Sequence, residues 1–320
     1  MTFSVALCTY NGAAYIQEQL DSILRQTVPV SEIIICDDNS QDGTVAIAEK
    51  ILRERDLCYQ ILVNDPPLGV AGNFLKALKH TTGEYVFTCD QDDIWHEDKV
   101  EIFRDGVRQS GKALFFSDGA LVDGDGKPLG STLWEAYGVD RELASGQALL
   151  PILIRRPMVT GAAMLVSREL IDQINGIPEQ WLHDEWFAMA AAAKDDIAPV
   201  YAKTFDYRQH GRNVIGAKKY SFAEKAKMWV SNISKQVAFR KVRLKKTTDV
   251  LMLTTTTKYD ETTKEAVAFW ETLNGLSSYG LGRRLVKIYN LYRCGGYGRF
   301  YNGLRGAVRD CLSCFLRQGR

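Results

Sequence analysis

Three carboxylates within four residues, Asp90-Gln91-Asp92-Asp93, directly follow the apolar run YVFTC. Like charges this close repel one another unless a cation or a hydrogen-bonding ligand offsets them. Carboxylate oxygens suit Mg²⁺ or Mn²⁺, ions that bind diphosphates while keeping several waters. The plain structural alternative is an acidic N-cap on the next helix, which the helix dipole also favours. A second pair, Asp37-Asp38, ends an earlier apolar run in DDNSQDGT. It can form an Asx turn capping the next helix, or accept hydrogen bonds from a pyrimidine imide N–H or a ribose hydroxyl. Both readings stand. A third pair, Asp184-Glu185, lies between His183 and Trp186 at the head of an apolar helical stretch. His210 stands between Arg208 and Arg212. A lone histidine is usually a packed or surface residue, but that basic flank downstream of the acid clusters points to a phosphate.

These groups need elements to carry them. The first 120 residues alternate short β-branched runs with amphipathic segments. The pattern predicts strands at 3–9, 32–36, 59–63, 85–89 and 113–116, and helices at 15–26, 44–55, 70–80 and 98–108. Such alternation means an α/β fold with a mainly parallel sheet covered by helices, and ligands bind beyond the carboxyl ends of its strands. Three strands end there in polar clusters: Thr9-Tyr10-Asn11, Asp37 to Ser40 and Asp90 to Asp93. Further on, the sequence predicts a hairpin turn at Asp123-Gly-Asp-Gly, a helix over 142–154, a strand over 162–166 and a helix entering at His183. Beyond Ala217 the pattern is helical throughout.

Other chemistries are excluded. No G-x-G-x-x-G follows the first strand and no P-loop occurs, and Asp123-Gly-Asp-Gly lacks the remaining ligands of a calcium loop. Of the seven cysteines only Cys311 and Cys314 form a C-x-x-C, with no further zinc ligands nearby, so free thiols are expected. The longest apolar run, 186–193, is eight residues, against roughly 20 for a membrane span. With no basic n-region or cleavage site at its start, the chain is expected to be cytoplasmic.

In that order and spacing, SVALCTYNG, IIICDDNSQDGT, GVAGNF and FTCDQDDIW resemble glycosyltransferase family 2, whose members have a GT-A fold and use nucleotide-diphosphate sugars. The resemblance covers roughly 3–215. His183-Asp184-Glu185-Trp186 and Tyr207 to Asn213 resemble its bacterial rhamnosyltransferase-like branch, which builds cell-surface polysaccharide; where that branch often has H-D-W-W, this chain has Glu185.

The resemblance implies roles residue by residue. Thr9, Tyr10 and Asn11 would line the nucleotide pocket, and Asp38 or Asp37 would read the pyrimidine. Asn73 would lie near the nucleotide-sugar and Asp90 near the ribose. Asp92 would hold a divalent metal, Mg²⁺ or Mn²⁺, with Asp93 supporting the loop and His210 a metal or diphosphate contact. Trp95 and Trp186 would wall the sugar. Asp184 would be the base, with Glu185 the alternative. A single carboxylate base with no carboxylate nucleophile predicts inversion at the anomeric carbon. The donor expected is dTDP-L-rhamnose, or UDP-galactose or UDP-glucose on the same fold, and the acceptor a glycan or lipid-linked glycan. Backbone at Thr160 to Met164 would face the acceptor, although core packing explains that stretch nearly as well.

Two other functions compete with this one. A nucleotidyltransferase normally carries a basic Gly-rich loop after the first strand, whereas Asn11-Gly12-Ala13-Ala14 has none. A nucleic-acid-binding protein would have to use the basic C-terminal part, which matches no recognition motif. That part is distinctive. Residues 1–217 hold 19 Lys+Arg and 32 Asp+Glu, and residues 218–320 hold 21 and 7. The chain therefore reads as a GT-A-like domain, 1–217, and a basic helical extension, 218–320. The extension suits an anionic membrane surface, or an oligomer contact.

Overall fold

The computed structural model describes residues 1–144, 146–210 and 235–315. The N-terminal strands are buried apolar runs. β1 (Phe3–Thr9) and β2 (Glu32–Asp37) are buried along their whole length, β4 (Tyr85–Cys89) along most of its own, and β3 (Cys58–Val63) forms the outer edge. The helices between them bury one stripe each, as a 3.6-residue period dictates. α1 (Ile16–Leu24) buries Ile16, Leu20 and Ile23, and α2 (Thr44–Arg53) buries Thr44, Ala48 and Leu52. α3 (Gly69–His80) buries Phe74, Ala77 and Leu78, and α4 (Lys99–Ser110) buries Val100, Phe103 and Val107.

The remaining strands of this half are β5 (Ile94–Trp95), β6 (Leu114–Val122), β7 (Pro128–Thr132), β8 (Met164–Ser167) and β9 (Ile197–Arg208). Among the described residues all nine form one sheet in the order β3-β2-β1-β4-β8-β6-β9-β5, with β7 on β6. β3, β2, β1 and β4 are mutually parallel, with Thr9 opposite Asp37 and Leu7 opposite Cys89. From β1 the chain passes to β2 and β3 on one side, and returns to β4 on the other. β1 and β4 thus flank a topological switch point. Beyond β4 the directions mix: β8 is antiparallel to β4 and β6, and β9 parallel to β6.

Some later elements follow the sequence pattern and others depart from it. The turn at Asp123 joins the β6–β7 hairpin, its carboxylate accepting from the N–H groups of Asp125 and Lys127. The helix predicted over 142–154 is two, α6 (Asp140–Ala144) and α7 (Leu149–Arg155), because Gly146 takes φ +67. That left-handed conformation ends a helix. β6 continues six residues past Phe116 through polar Ser117-Asp118, because β9 pairs beside it with shifts of register. After α5 (Leu133–Tyr137) and α8 (Arg168–Gln173), the helix entering at His183 is α9 (His183–Ala192).

By contact density the chain divides into two units. The first holds residues 1–146, 158–191 and the chain from 196 through β9; the second holds 147–157, 192–195 and the C-terminal helices. Those helices are α10 (Gln236–Thr254), α11 (Asp260–Asn274), α12 (Leu281–Arg293), α13 (Gly296–Phe300) and α14 (Gly303–Ser313). The second unit has an aromatic core. Trp270 and Tyr297 are fully buried, with Phe269 meeting Tyr297 edge-on at 5.2 Å and Trp270 meeting Tyr301 at 5.2 Å. Within it Asp310, at 0% exposure, accepts from Arg240 at 2.7 Å, Gln236 at 2.9 Å and Tyr297 at 2.7 Å. No helix among the described residues is long and apolar enough to cross a membrane.

Candidate active site

The ends of β1 and β2 are stitched together. Asp37 Oδ2 accepts from Thr9 Oγ1 at 2.6 Å and from Ser40 Oγ at 2.6 Å, and its Oδ1 accepts from Ser40 N–H at 2.7 Å. Asp37 is wholly buried, and its side chain closes the turn from Asp37 to Ser40. Asp38 holds the entry to α3, its oxygens accepting from Leu68 N–H at 2.6 Å and Gly69 N–H at 2.9 Å. Asn64 donates to both Asp38 and Asn73, and Asn73 donates to Cys36 O at 2.9 Å. Asn11, at φ +49, donates its N–H to Ser40 Oγ, while Tyr10 is 59% exposed above this scaffold. Thr9, Asn11, Asp37, Asp38 and Asn73 are therefore brought together. Of the turn and ligand roles open to Asp37, the geometry accounts for the turn.

The acidic loop after β4 is tied to both sides. Gln91 clasps Tyr10, accepting from its N–H at 2.8 Å and donating to its carbonyl at 3.0 Å. From the far side comes the end of β9, held by the pairings Ile94 with Asp206 and Trp95 with Phe205. Arg208, 3% exposed, donates its N–H to Asp93 Oδ1 at 3.1 Å and its guanidinium to Asp92 O, Gly124 O and Glu18. His210 Nε2 lies 2.7 Å from Asp92 Oδ2, and its ring stacks on Tyr15 at 4.8 Å.

Asp184 opens α9 and is 8% exposed. Its Oδ2 accepts from Gly161 N–H at 3.0 Å, and its Oδ1 from Glu185 N–H at 2.7 Å. Thr88, in β4, donates to Gly161 O, so the strand bearing the acidic loop also anchors the residue that holds Asp184. His183 is buried, stacked on Phe74 at 3.7 Å, and burial holds its imidazole down to about 3. Burial raises the Asp184 carboxyl to about 7 against the backbone donors. Burial, then the charges of Asp92 and Asp184, pushes Asp90 up to about 8.

Trp95 departs from the expectation that it walls the sugar. It is 2% exposed and packs edge-on against Phe87 at 5.1 Å, because β5 tucks its ring into the core. Trp186 is partly exposed and lies 5.2 Å from the ring of Trp181.

Asp92 and His210 offer one carboxylate oxygen and one imidazole nitrogen, a donor set suited to Mn²⁺ or Mg²⁺. Among the described residues no group of three or more His, Cys, Asp or Glu stands ready to hold a metal. Mg²⁺ is commonly held by one or two carboxylates together with a substrate's phosphates. Beside them Asp93 Oδ2 is buried without a hydrogen-bond partner, and burial and Asp92 raise that carboxyl. The residues fit a divalent ion completed by a diphosphate.

Sequence reasoning missed Lys99. Its Nζ is fully buried, donates to Ala162 O at 2.8 Å and lies over the Trp95 and Phe205 rings at 4.3 and 4.5 Å. Burial pushes its ammonium down to about 7, against the pull of Cys89, Asp93 and Asp90. A lysine beginning a helix reads as solvated, so nothing in the sequence signalled a cation under the carboxylates. Gln91 and Asn64 were missed for the same reason: each acts only through distant partners.

Comparison with known proteins agrees with this geometry. The family model described as glycosyl transferase family 2 matches residues 4–174. The chain is 29% identical over 240 residues to the dTDP-rhamnosyl transferase RfbG of Shigella flexneri, covering 69% of this chain and 77% of that protein. It is 34% identical over 99 residues to the UDP-Glc:alpha-D-GlcNAc-diphosphoundecaprenol beta-1,3-glucosyltransferase WfgD of Escherichia coli, covering 31% of this chain and 38% of that one. Its fold matches S. aureus TarS, solved in complex with UDP-GlcNAc, with TM-score 0.58 at 18% identity, over 92% of this chain and 80% of that one. A carboxylate-lined sheet edge of GT-A form, with the family's pattern running from β1 through α8, makes this chain a member of glycosyl transferase family 2.

Proposed function

We propose that the chain is an inverting, metal-dependent glycosyltransferase that moves L-rhamnose from dTDP-L-rhamnose onto a glycan or lipid-linked acceptor during cell-surface polysaccharide synthesis. It would work in the cytoplasm, peripherally on the inner face of the membrane. One observation supports the reaction: β4, which leads into the acidic loop where Asp92 meets His210 at 2.7 Å, also bonds through Thr88 to Gly161, whose N–H holds Asp184.

In this reading Asp92 and His210 hold the ion, which when bound supplies charge stabilisation to the departing diphosphate. The nucleotide lies over the β1–β2 edge, against Tyr10 and Asn11, on the scaffold made by Thr9, Asp37, Asp38 and Asn73. Asp90 stands at the ribose side. Asp184, held by Gly161 and Glu185 N–H groups, takes the acceptor hydroxyl's proton at its carboxylate oxygen. Trp186 flanks the sugar. No second carboxylate is placed as a nucleophile, so the anomeric centre inverts. The rhamnosyl donor rests on the likeness to RfbG, the longer of the two sequence matches given above. A UDP-hexose donor is the second reading, favoured by the likeness to WfgD.

Purified protein incubated with a panel of nucleotide sugars and a lipid-linked glycan acceptor tests this. Nucleoside-diphosphate release should be greatest with dTDP-L-rhamnose and should require Mn²⁺ or Mg²⁺. Greater release with UDP-glucose or UDP-galactose would favour the second reading, and no release with any donor would overturn both.

A further inference from the structure

The second unit carries an exposed apolar surface set in positive charge. Eight of the eighteen large apolar side chains that are exposed among the described residues fall within 281–315. On α14 and just past it, Leu304, Val308, Leu312 and Phe315 recur at i, i+4, i+8 and i+11, which places them on one helical stripe. They are 60%, 41%, 40% and 61% exposed, while Ala307 and Asp310 face inward. α12 packs against α14 and buries Ile288, leaving Leu281, Val286, Tyr289 and Tyr292 exposed. Soluble surfaces rarely concentrate apolar groups this way without a partner.

The charges say which partner. Residues 281–315 contain seven Lys+Arg and one acid, Asp310. That acid is fully buried against Arg240, so no carboxylate of this segment reaches solvent. Arg283, Arg293 and Arg305 are exposed, Arg293 lying 5.9 Å from the Tyr289 ring. Arg283 and Arg305 form no salt bridge among the described residues. Apolar stripes with tyrosines and arginines at their margins match the boundary between lipid headgroups and acyl chains.

We propose that the exposed faces of α12 and α14 form a docking surface for anionic lipid. Leu304, Val308, Leu312 and Phe315 enter the headgroup boundary, and Arg283, Arg293 and Arg305 meet the lipid phosphates. This deepens the peripheral location proposed above and rests on it, but it requires neither the donor nor turnover.

Co-sedimentation of the full chain with vesicles decides it. Binding to vesicles containing phosphatidylglycerol should exceed binding to pure phosphatidylcholine, and high salt should release it. Each basic residue near such a surface contributes about fivefold, so R283Q/R293Q/R305Q should weaken binding by about a hundredfold. L304S/L312S, at exposed positions, should weaken it several-fold with an unchanged circular-dichroism spectrum. Equal binding to both vesicle types, or unaltered binding by either variant, overturns the surface. So does a concentration-dependent dimer that both variants abolish in the absence of vesicle binding. Nucleoside-diphosphate release on a soluble acceptor, measured without vesicles, reports the catalytic reading separately.

Discussion

Gly161 donates its backbone N–H to Asp184 Oδ2 at 3.0 Å, although 23 positions separate the two residues. A Cβ on Gly161 would stand 2.5 Å from His183 Nε2, so only glycine brings that N–H close to the carboxylate. Gly161→Ala should therefore push His183 and Asp184 aside, lowering kcat by about a hundredfold for a displacement near an ångström. Overpacking should cost about 1–3 kcal/mol of stability. The telling readout is the pH profile: losing the donor raises the pKa of Asp184, a shift that a merely loosened fold would not produce. An unchanged profile would show that Gly161 does not tune Asp184.

Asp184→Asn should reduce kcat by about 10²–10⁴-fold while donor affinity stays near the wild-type value. In the wild type burial holds this carboxyl up at about 7. Below that pH it is protonated and cannot accept, so kcat/KM should fall tenfold per pH unit below about 7 and level off above it. If Glu185→Gln shows this loss and Asp184→Asn does not, the base is Glu185.

Asp92→Ala should abolish metal-dependent turnover and leave the unfolding midpoint nearly unchanged, since a loop carboxylate contributes little packing. His210→Ala should raise the Mn²⁺ concentration for half-activation by at least about tenfold. The wild type should lose turnover in EDTA and recover it on adding Mn²⁺. Full activity in EDTA would sink the metal role of both residues.

Asp310→Ala leaves the Arg240 guanidinium, 6% exposed, without its carboxylate. Breaking a buried pair from one side should cost about 3–5 kcal/mol, read from urea unfolding. Removing both charges, in Asp310→Leu with Arg240→Met, should recover most of that loss. A single-variant cost below about 1 kcal/mol would show that the network does not hold the second unit together.

Much of the sheet was legible because its information is local. Phe3–Thr9 and Tyr85–Cys89 are mainly apolar runs that end in polar clusters, and both are strands over the residues the pattern indicates. The stripes Ile16-Leu20-Ile23 and Val100-Phe103-Val107 announce their helices in the same way. β5 was not legible. Two residues, Ile94 and Trp95, carry no periodicity and become a strand only through Asp206 and Phe205. Ser117 and Asp118 likewise look like the end of a strand until β9 pairs beside them.

Composition and local order established which groups could do chemistry: acidic clusters at strand ends, a histidine among arginines, a basic C-terminal part. They also decided the parallel half of the sheet, because burying apolar strands on both faces leaves few arrangements. Which of those groups meet was decided by the tertiary structure. Asp92 and His210, 118 positions apart, come to 2.7 Å because β9 runs the length of β6 and is pinned by Arg208 beneath the acidic loop. Lys99 becomes a buried cation rather than a solvated one, and Asp310 leaves the surface to face Arg240. Each such outcome depends on long-range register and on desolvation, and neither is encoded in the residues next along the chain.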